Sequence, residues 1–287
     1  MSNTTLKLIA LVSMVLDHIW RFFPDSPYFF HLIGRISAPI FLFCCVESYI
    51  YTSNRKKLFI RVYFLNIIVE LMNLILGIGY LRMNFIRSIL LVLIIVFIID
   101  QFKRKKKKAK LYLIIFIVWQ SLITVLICSL LYIDTLSSII NENLVFLIIS
   151  ITANISYLDG GILIVLIGVY IFIYRENKLK LSISFICITI IYVILFNTTL
   201  INRLDMLCID MPFINTMFNI ITNTILGIDI SSIYVNIFTG DPQWMMIFSL
   251  PFFLMYNNKK GKGLKYLFYI VYPVHIAILY ELSTLKI

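Results

Sequence analysis

One pattern leaves few folds open to this chain. Apolar stretches of about 20 residues recur from end to end, each about long enough to cross a hydrocarbon core of roughly 30 Å as a helix. Within lipid the backbone N–H and C=O groups must be satisfied inside the segment, so each stretch is read as a helix. Composition agrees: of 287 residues, 61% are hydrophobic and only 14% charged. The expected fold is all-α, a polytopic transmembrane helical bundle forming a single domain over residues 1–287. Nine spans are expected: Thr4–Phe23, Phe29–Tyr51, Leu58–Leu76, Met83–Gln101, Leu111–Ile133, Tyr157–Tyr174, Leu181–Ile201, Asp241–Tyr256 and Tyr266–Leu282. The first lacks a small-residue cleavage site, so it is expected to remain in the protein rather than be removed as a signal peptide.

Two segments leave the count open between nine and eleven. Asn143 to Asn154 is apolar but short, which fits a re-entrant or interfacial helix or the first half of a broken span. Asn202 to Gly240 is interrupted by Asn215, Asn219, Asn223 and Asp229. It fits an amphipathic helix at the outer leaflet, or two further crossings.

The charges are grouped. Basic clusters stand at Arg55–Lys57, Lys103–Lys110, Arg175–Lys180 and Lys259–Lys265. With nine spans all four fall on one side. The positive-inside rule makes that side cytoplasmic, with the N-terminus inside and the C-terminus outside a cell membrane. The net charge of +11 is therefore assigned to orientation, and no nucleic-acid partner is expected. The run Lys103–Lys110 is an anchor for anionic lipid at the cytoplasmic face, or an attractor for a polyanionic cytosolic ligand. The five cysteines have no CxxC spacing, and packing is their expected role. No metal site is expected, and no phosphate-loop, HExxH, GxSxG or dinucleotide motif is present.

Against this background the ionisable residues inside the apolar runs need a reason, since each costs about 2.5–3.5 kcal/mol or more unless it faces protein or water. On a helix, Lys7 and His18 fall within about 20° of one face and about 16 Å apart along the axis. A cation near one membrane surface and a base deep in the bilayer thus line one groove. His18 is the candidate general base, because imidazole titrates nearest neutrality. Asp17 precedes it and lies one turn before Arg21. Arg35 and Glu47 follow in the second span, and Arg61 and Glu70 in the third. Glu47 and Glu70 are expected first as partners of Arg35 and Arg61. His31 is expected at the interface. His275 stands two residues after Pro273, with Tyr269 and Tyr272 nearby. It reads equally as a second polar wall of the chamber or as packing around a kink. Asp241 with Pro242 has the pattern of a helix cap.

Several segments taken together resemble the TraX family: Lys7-Leu-Ile-Ala-x5-Leu-Asp-His18-Ile, Ile33-Gly-Arg35-Ile-x-Ala-Pro-Ile-Phe41, Glu47-Ser-Tyr-x2-Thr-x-Asn-Arg55, Gln243-Trp244, and Lys265-Tyr-x-Phe-Tyr-x2-Tyr272-Pro-x-His275. That family is associated with N-terminal acetylation of a conjugative pilin. It is in turn similar to the integral-membrane acyltransferases that O-acetylate surface polysaccharides, where a basic residue precedes the catalytic His by eleven positions. The resemblance implies an acetyltransferase with acetyl-CoA as co-substrate. Lys7, Arg61 and Arg55 would meet the acyl-CoA donor. His18, Asp17 and Arg35 would form the catalytic group. Glu47, Glu70, Trp244, Tyr272 and His275 would line the site of a peptide, pilin-like or glycan acceptor. Two readings of other classes stand beside it: a transporter or flippase whose buried charges bind a solute, and a non-catalytic accessory membrane protein.

Overall fold

The computed structural model describes residues 1–78, 84–132, 141–228, 237 and 241–285, and among them no strand forms. The α-helices are α1 (Asn3–Phe22), α2 (Phe29–Gly34), α3 (Ser37–Tyr51), α4 (Arg55–Leu76), α5 (Phe85–Lys103), α6 (Ala109–Tyr132), α7 (Glu142–Ile151), α8 (Gly161–Tyr174), α9 (Lys178–Phe196), α10 (Leu200–Cys208), α11 (Pro212–Asn219), α12 (Leu250–Leu254) and α13 (Lys265–Thr284). A π-helix covers Ile220–Leu226 and a 3₁₀-helix Pro242–Ser249.

Six helical segments are long and apolar enough to cross a membrane, and all six match expected spans: Phe29–Tyr51, Arg55–Leu76, Phe85–Lys103, Ala109–Leu131, Lys178–Phe196 and Tyr266–Thr284. The other three expected spans take different forms. Helix α1 has the length, about 30 Å for its 20 residues, but carries Lys7, Asp17 and Arg21. The expected span Tyr157–Tyr174 yields a 14-residue helix, and Asp241–Tyr256 yields the 3₁₀-helix followed by α12. The region after Asn202 gives two short helices, α10 and α11, whose large apolar side chains Met206, Leu207 and Phe213 are exposed. Neither is long enough to cross, which fits the amphipathic alternative. Asp229 and Ile230, which that reading also included, lie outside the described residues.

The helix ends follow local chemistry. Ser2 caps α1 by accepting from the Thr5 amide. Asn54, Asn141 and Asn177 cap α4, α7 and α9 in the same way. Asp241 accepts from the Gln243 amide at 2.9 Å, with Pro242 at the first helical position, as its cap pattern implies.

The chain packs as two compact units. The first comprises Met1–Tyr51, Leu166–Phe218 and Ile228–Ile287. In it α1 packs against α2, α3 and α13. Contacts between α1 and α13 run in one order along both helices: Lys7 with Phe268, His18 with His275, Phe22 with Tyr280. The two helices are therefore parallel, which an odd total of crossings requires if they are the first and last. The Asn3 and Thr4 amides donate to the Lys259 and Lys260 carbonyls, and Lys178 Nζ donates to the Leu254 carbonyl. One end of this unit thus gathers the later two basic clusters beside the start of α1.

The second unit comprises Thr52–Val165 and Asn219–Gly227. Arg55 and Arg104 both pair with Asp100, at 2.6 and 2.9 Å, which brings the first two basic clusters to one end of that unit. Helix α7 is ten residues, about 15 Å, half of a bilayer core. Its C-terminus stops inside the unit. Four successive carbonyls there, from Ser150 to Ala153, accept hydrogen bonds from Asn66, Tyr63, Trp119 and Gln120 in turn. A helix end away from water leaves carbonyls without partners, and these four side chains on α4 and α6 supply them.

Candidate functional site

The site in the first unit is assembled around the C-terminal half of α1. His18, 6% exposed, meets His275 of α13 through Nδ1 and Nε2, 2.6 Å apart. The ring planes lie within 3° and the centroids 4.8 Å apart, so the imidazoles meet edge to edge rather than face to face. On its other side His275 Nδ1 donates to the Val271 carbonyl at 2.7 Å. A carbonyl only accepts, so this bond fixes the tautomer of a neutral His275: hydrogen on Nδ1, lone pair on Nε2. That lone pair takes the hydrogen of His18 Nδ1. The lone pair of a neutral His18 is then on Nε2, for which no partner is found among the described residues. Tyr272 lies edge-on to the His275 ring.

Asp17, the next residue on α1, turns to the opposite side. Its carboxylate accepts from Arg35 Nη2 and from His31 Nδ1 at 2.8 Å, and Arg21 Nε is 3.4 Å away. His31 is buried at 8% exposure and stacked on Trp20 with centroids 3.9 Å apart, so it is not the interfacial side chain expected from its place in the sequence. Gly34 makes this approach possible: a Cβ there would overlap the Asp17 side chain, with Oδ1 at 2.7 Å. Arg35 extends the network through Nη1 to Gln243 Oε1 at 2.9 Å. Gln243 is seated by Asp241, which also accepts from the Tyr192 hydroxyl at 3.1 Å. The neighbouring Trp244 instead donates to the Ile237 carbonyl. The sequence segment Gln243-Trp244 is thus joined to the network through its amide rather than its indole.

Toward the other end of α1, Lys7 Nζ lies 3.4 Å from Ser48 Oγ and 5.7 Å over the Phe268 ring, both in the same unit as His18. Glu47 is buried and pairs with Arg175 at 3.4 Å, not with Arg35. A cleft of about 660 Å³ opens where α1 and α13 end, lined by Ile19, Phe22, Phe23 and Leu282 with Asp25 and Ser283.

The remaining expected site residues belong to the second unit. Arg55 is held by Asp100, and Arg61 is half-buried on α4 with no salt bridge among the described residues. Glu70 bonds to Asn84 and Ser150 rather than to Arg61. No group of His, Cys, Asp or Glu arranged to hold a metal ion is found among the described residues.

Buried histidines joined edge to edge, next to a carboxylate gripped by arginine, in a chain with six helices long and apolar enough to cross a bilayer, define a multi-pass helical membrane protein with a buried polar cluster. Residues 2–228 match the family described as TraX protein, and the chain belongs to the TraX family. No functionally curated protein and no solved structure matches it significantly.

Proposed function

We propose that the chain is a membrane acyltransferase that moves an acetyl group from cytosolic acetyl-CoA to a hydroxyl or amine of a peptide, pilin-like or surface-glycan acceptor. The observation that carries this reading is the hydrogen-bond chain Val271–His275–His18, which leaves a basic nitrogen on His18 Nε2. His18 takes the proton of the acceptor as its oxygen or nitrogen bonds to the acyl carbon. The C–S bond then breaks, and the departing thiolate receives the proton from the imidazolium. His275 orients the base and spreads the positive charge it acquires. Asp17, locked by two arginines and the His31 N–H, acts by holding α1 and Arg35 in place.

Lys7, about 16 Å along α1 from His18, steers the donor's phosphates toward the groove. The cleft beyond Ile19 admits the acceptor from the opposite end. The donor contact expected of Arg61 and Arg55 from the sequence is tested by Arg61→Gln and Arg55→Gln: a raised KM for acetyl-CoA with little change in kcat supports it.

The primary test is acetyl transfer from labelled acetyl-CoA by the purified full chain, with transfer read on candidate surface peptides and glycans by mass spectrometry. His18→Ala is expected to lose about 10²–10⁴-fold in rate, and His275→Ala about tenfold if it only orients the base. Equal turnover by wild type and His18→Ala removes His18 from the mechanism, as the transporter and accessory readings require.

A further inference from the structure

The second unit holds a buried polar cluster that the acyl-transfer reading does not use. Helix α4 places Asn66, Glu70 and Asn73 on one face, at i, i+4 and i+7, with exposures of 0%, 4% and 1%. Asn84, at the start of α5, sends its amide nitrogen into this face. Four oxygens surround that nitrogen: Glu70 Oε2 at 2.7 Å, Asn66 Oδ1 at 3.0 Å, the Asn66 carbonyl at 3.2 Å and Ser150 Oγ at 3.3 Å. An amide NH₂ has two hydrogens, so it satisfies only half of them. Ser150 Oγ also donates to Glu70 Oε2 at 2.8 Å.

Three further polar atoms in this region are buried with no hydrogen-bond partner among the described residues: Asn84 Oδ1, and both Oδ1 and Nδ2 of Asn73. Glu70 makes no salt bridge with any described Lys, Arg or His. Arg87, one turn beyond Asn84, directs Nη2 to the Tyr157 carbonyl. A carboxylate removed from water costs several kcal/mol unless an opposite charge or a full set of donors meets it. The C-terminal end of α7, which carries Ser150, adds the negative end of a helix dipole to the same place.

We propose that Glu70, Asn66, Asn84 and Ser150 form a binding site for one alkali-metal cation. A single positive charge matches the single carboxylate. The oxygens now crowding the Asn84 nitrogen become the ligands, and turning the Asn84 side chain over adds its unpartnered Oδ1 to the set. A divalent ion is a poor match, because one carboxylate offsets only half of its charge, calcium takes six to eight oxygens, and magnesium retains several waters. The site lies within the second unit and is independent of the acyl-transfer chemistry, so either proposal can fail alone.

The test uses the purified full chain in detergent, exchanged into choline chloride. Thermal unfolding is followed as sodium or potassium chloride replaces choline at constant ionic strength. At tenfold above half-saturation, at least one of the two ions is expected to raise Tm by about 3–5 °C, saturably. Glu70→Gln is expected to abolish that cation-dependent rise, and Ser150→Ala to move half-saturation several-fold higher. Indistinguishable Tm values for wild type in sodium, potassium and choline overturn the proposal, as does a full cation-dependent rise in Glu70→Gln. Should the Glu70 variant not be recovered folded, calorimetric titration of the wild type with each salt decides the matter, and no saturable heat from either overturns the site.

Discussion

Asp17 and Glu70 are both carboxylates on long helices and almost out of reach of solvent, yet their surroundings differ in kind. Asp17 is met by Arg21 of α1 and Arg35 of the turn after α2, two positive charges for one negative, and by the His31 ring N–H from α2. Glu70 is met by an amide and a hydroxyl. The first arrangement is a closed electrostatic knot, fixed in geometry, and it leaves the neighbouring His18 as the group with an open lone pair. The second has one negative charge and oxygens in excess of donors. A buried acid inside a membrane protein therefore says little by itself, and its partners decide whether it ties helices together or waits for an ion.

Breaking each carboxylate in turn puts numbers on that contrast. Asp17→Ala strands buried Arg35 and His31 and is expected to cost about 3–5 kcal/mol, read as loss of folded protein in thermal or denaturant unfolding. Gly34→Ala pushes a methyl group into the same carboxylate and is expected to cost about 1–3 kcal/mol, with acetyl transfer falling alongside. Glu70→Gln in alkali-free buffer is expected to cost about 1 kcal/mol or less, because the amide retains a polar group of the same shape. A cost equal to that of Asp17→Ala erases the distinction between the two clusters. Trp119→Phe removes one carbonyl cap at the end of α7 and is expected to cost about 0.6 kcal/mol, visible chiefly as faster hydrogen exchange around Thr152.

The helices were legible because hydropathy is recorded along the chain: six expected spans reappear within a few residues of their predicted ends. Cap chemistry is equally local, and Asp241 performs the role its neighbour Pro242 implied. Partnership across the fold was not legible. Arg35 and Glu47 share a span but bind Asp17 and Arg175, because the face each presents depends on how α2 and α3 divide that span. His31 looked peripheral by position and is buried because Gly34 lets α2 close onto α1. Gln243 stood beside the more conspicuous Trp244, and only the 3₁₀ segment aims it at Arg35. For Asn143–Asn154 the sequence showed a run too short to cross but not how its open end is satisfied. The caps come from α4 and α6, and Tyr63 lies 88 positions before the carbonyl it serves.

His18 and its partner His275 are 257 positions apart. A ribosome makes α1 long before α13, so the ring of His18 waits through most of synthesis without the neighbour that fixes its tautomer. Only insertion of the final helix completes the pair. A nascent or prematurely stopped product that lacks α13 therefore carries a His18 whose tautomer His275 does not fix.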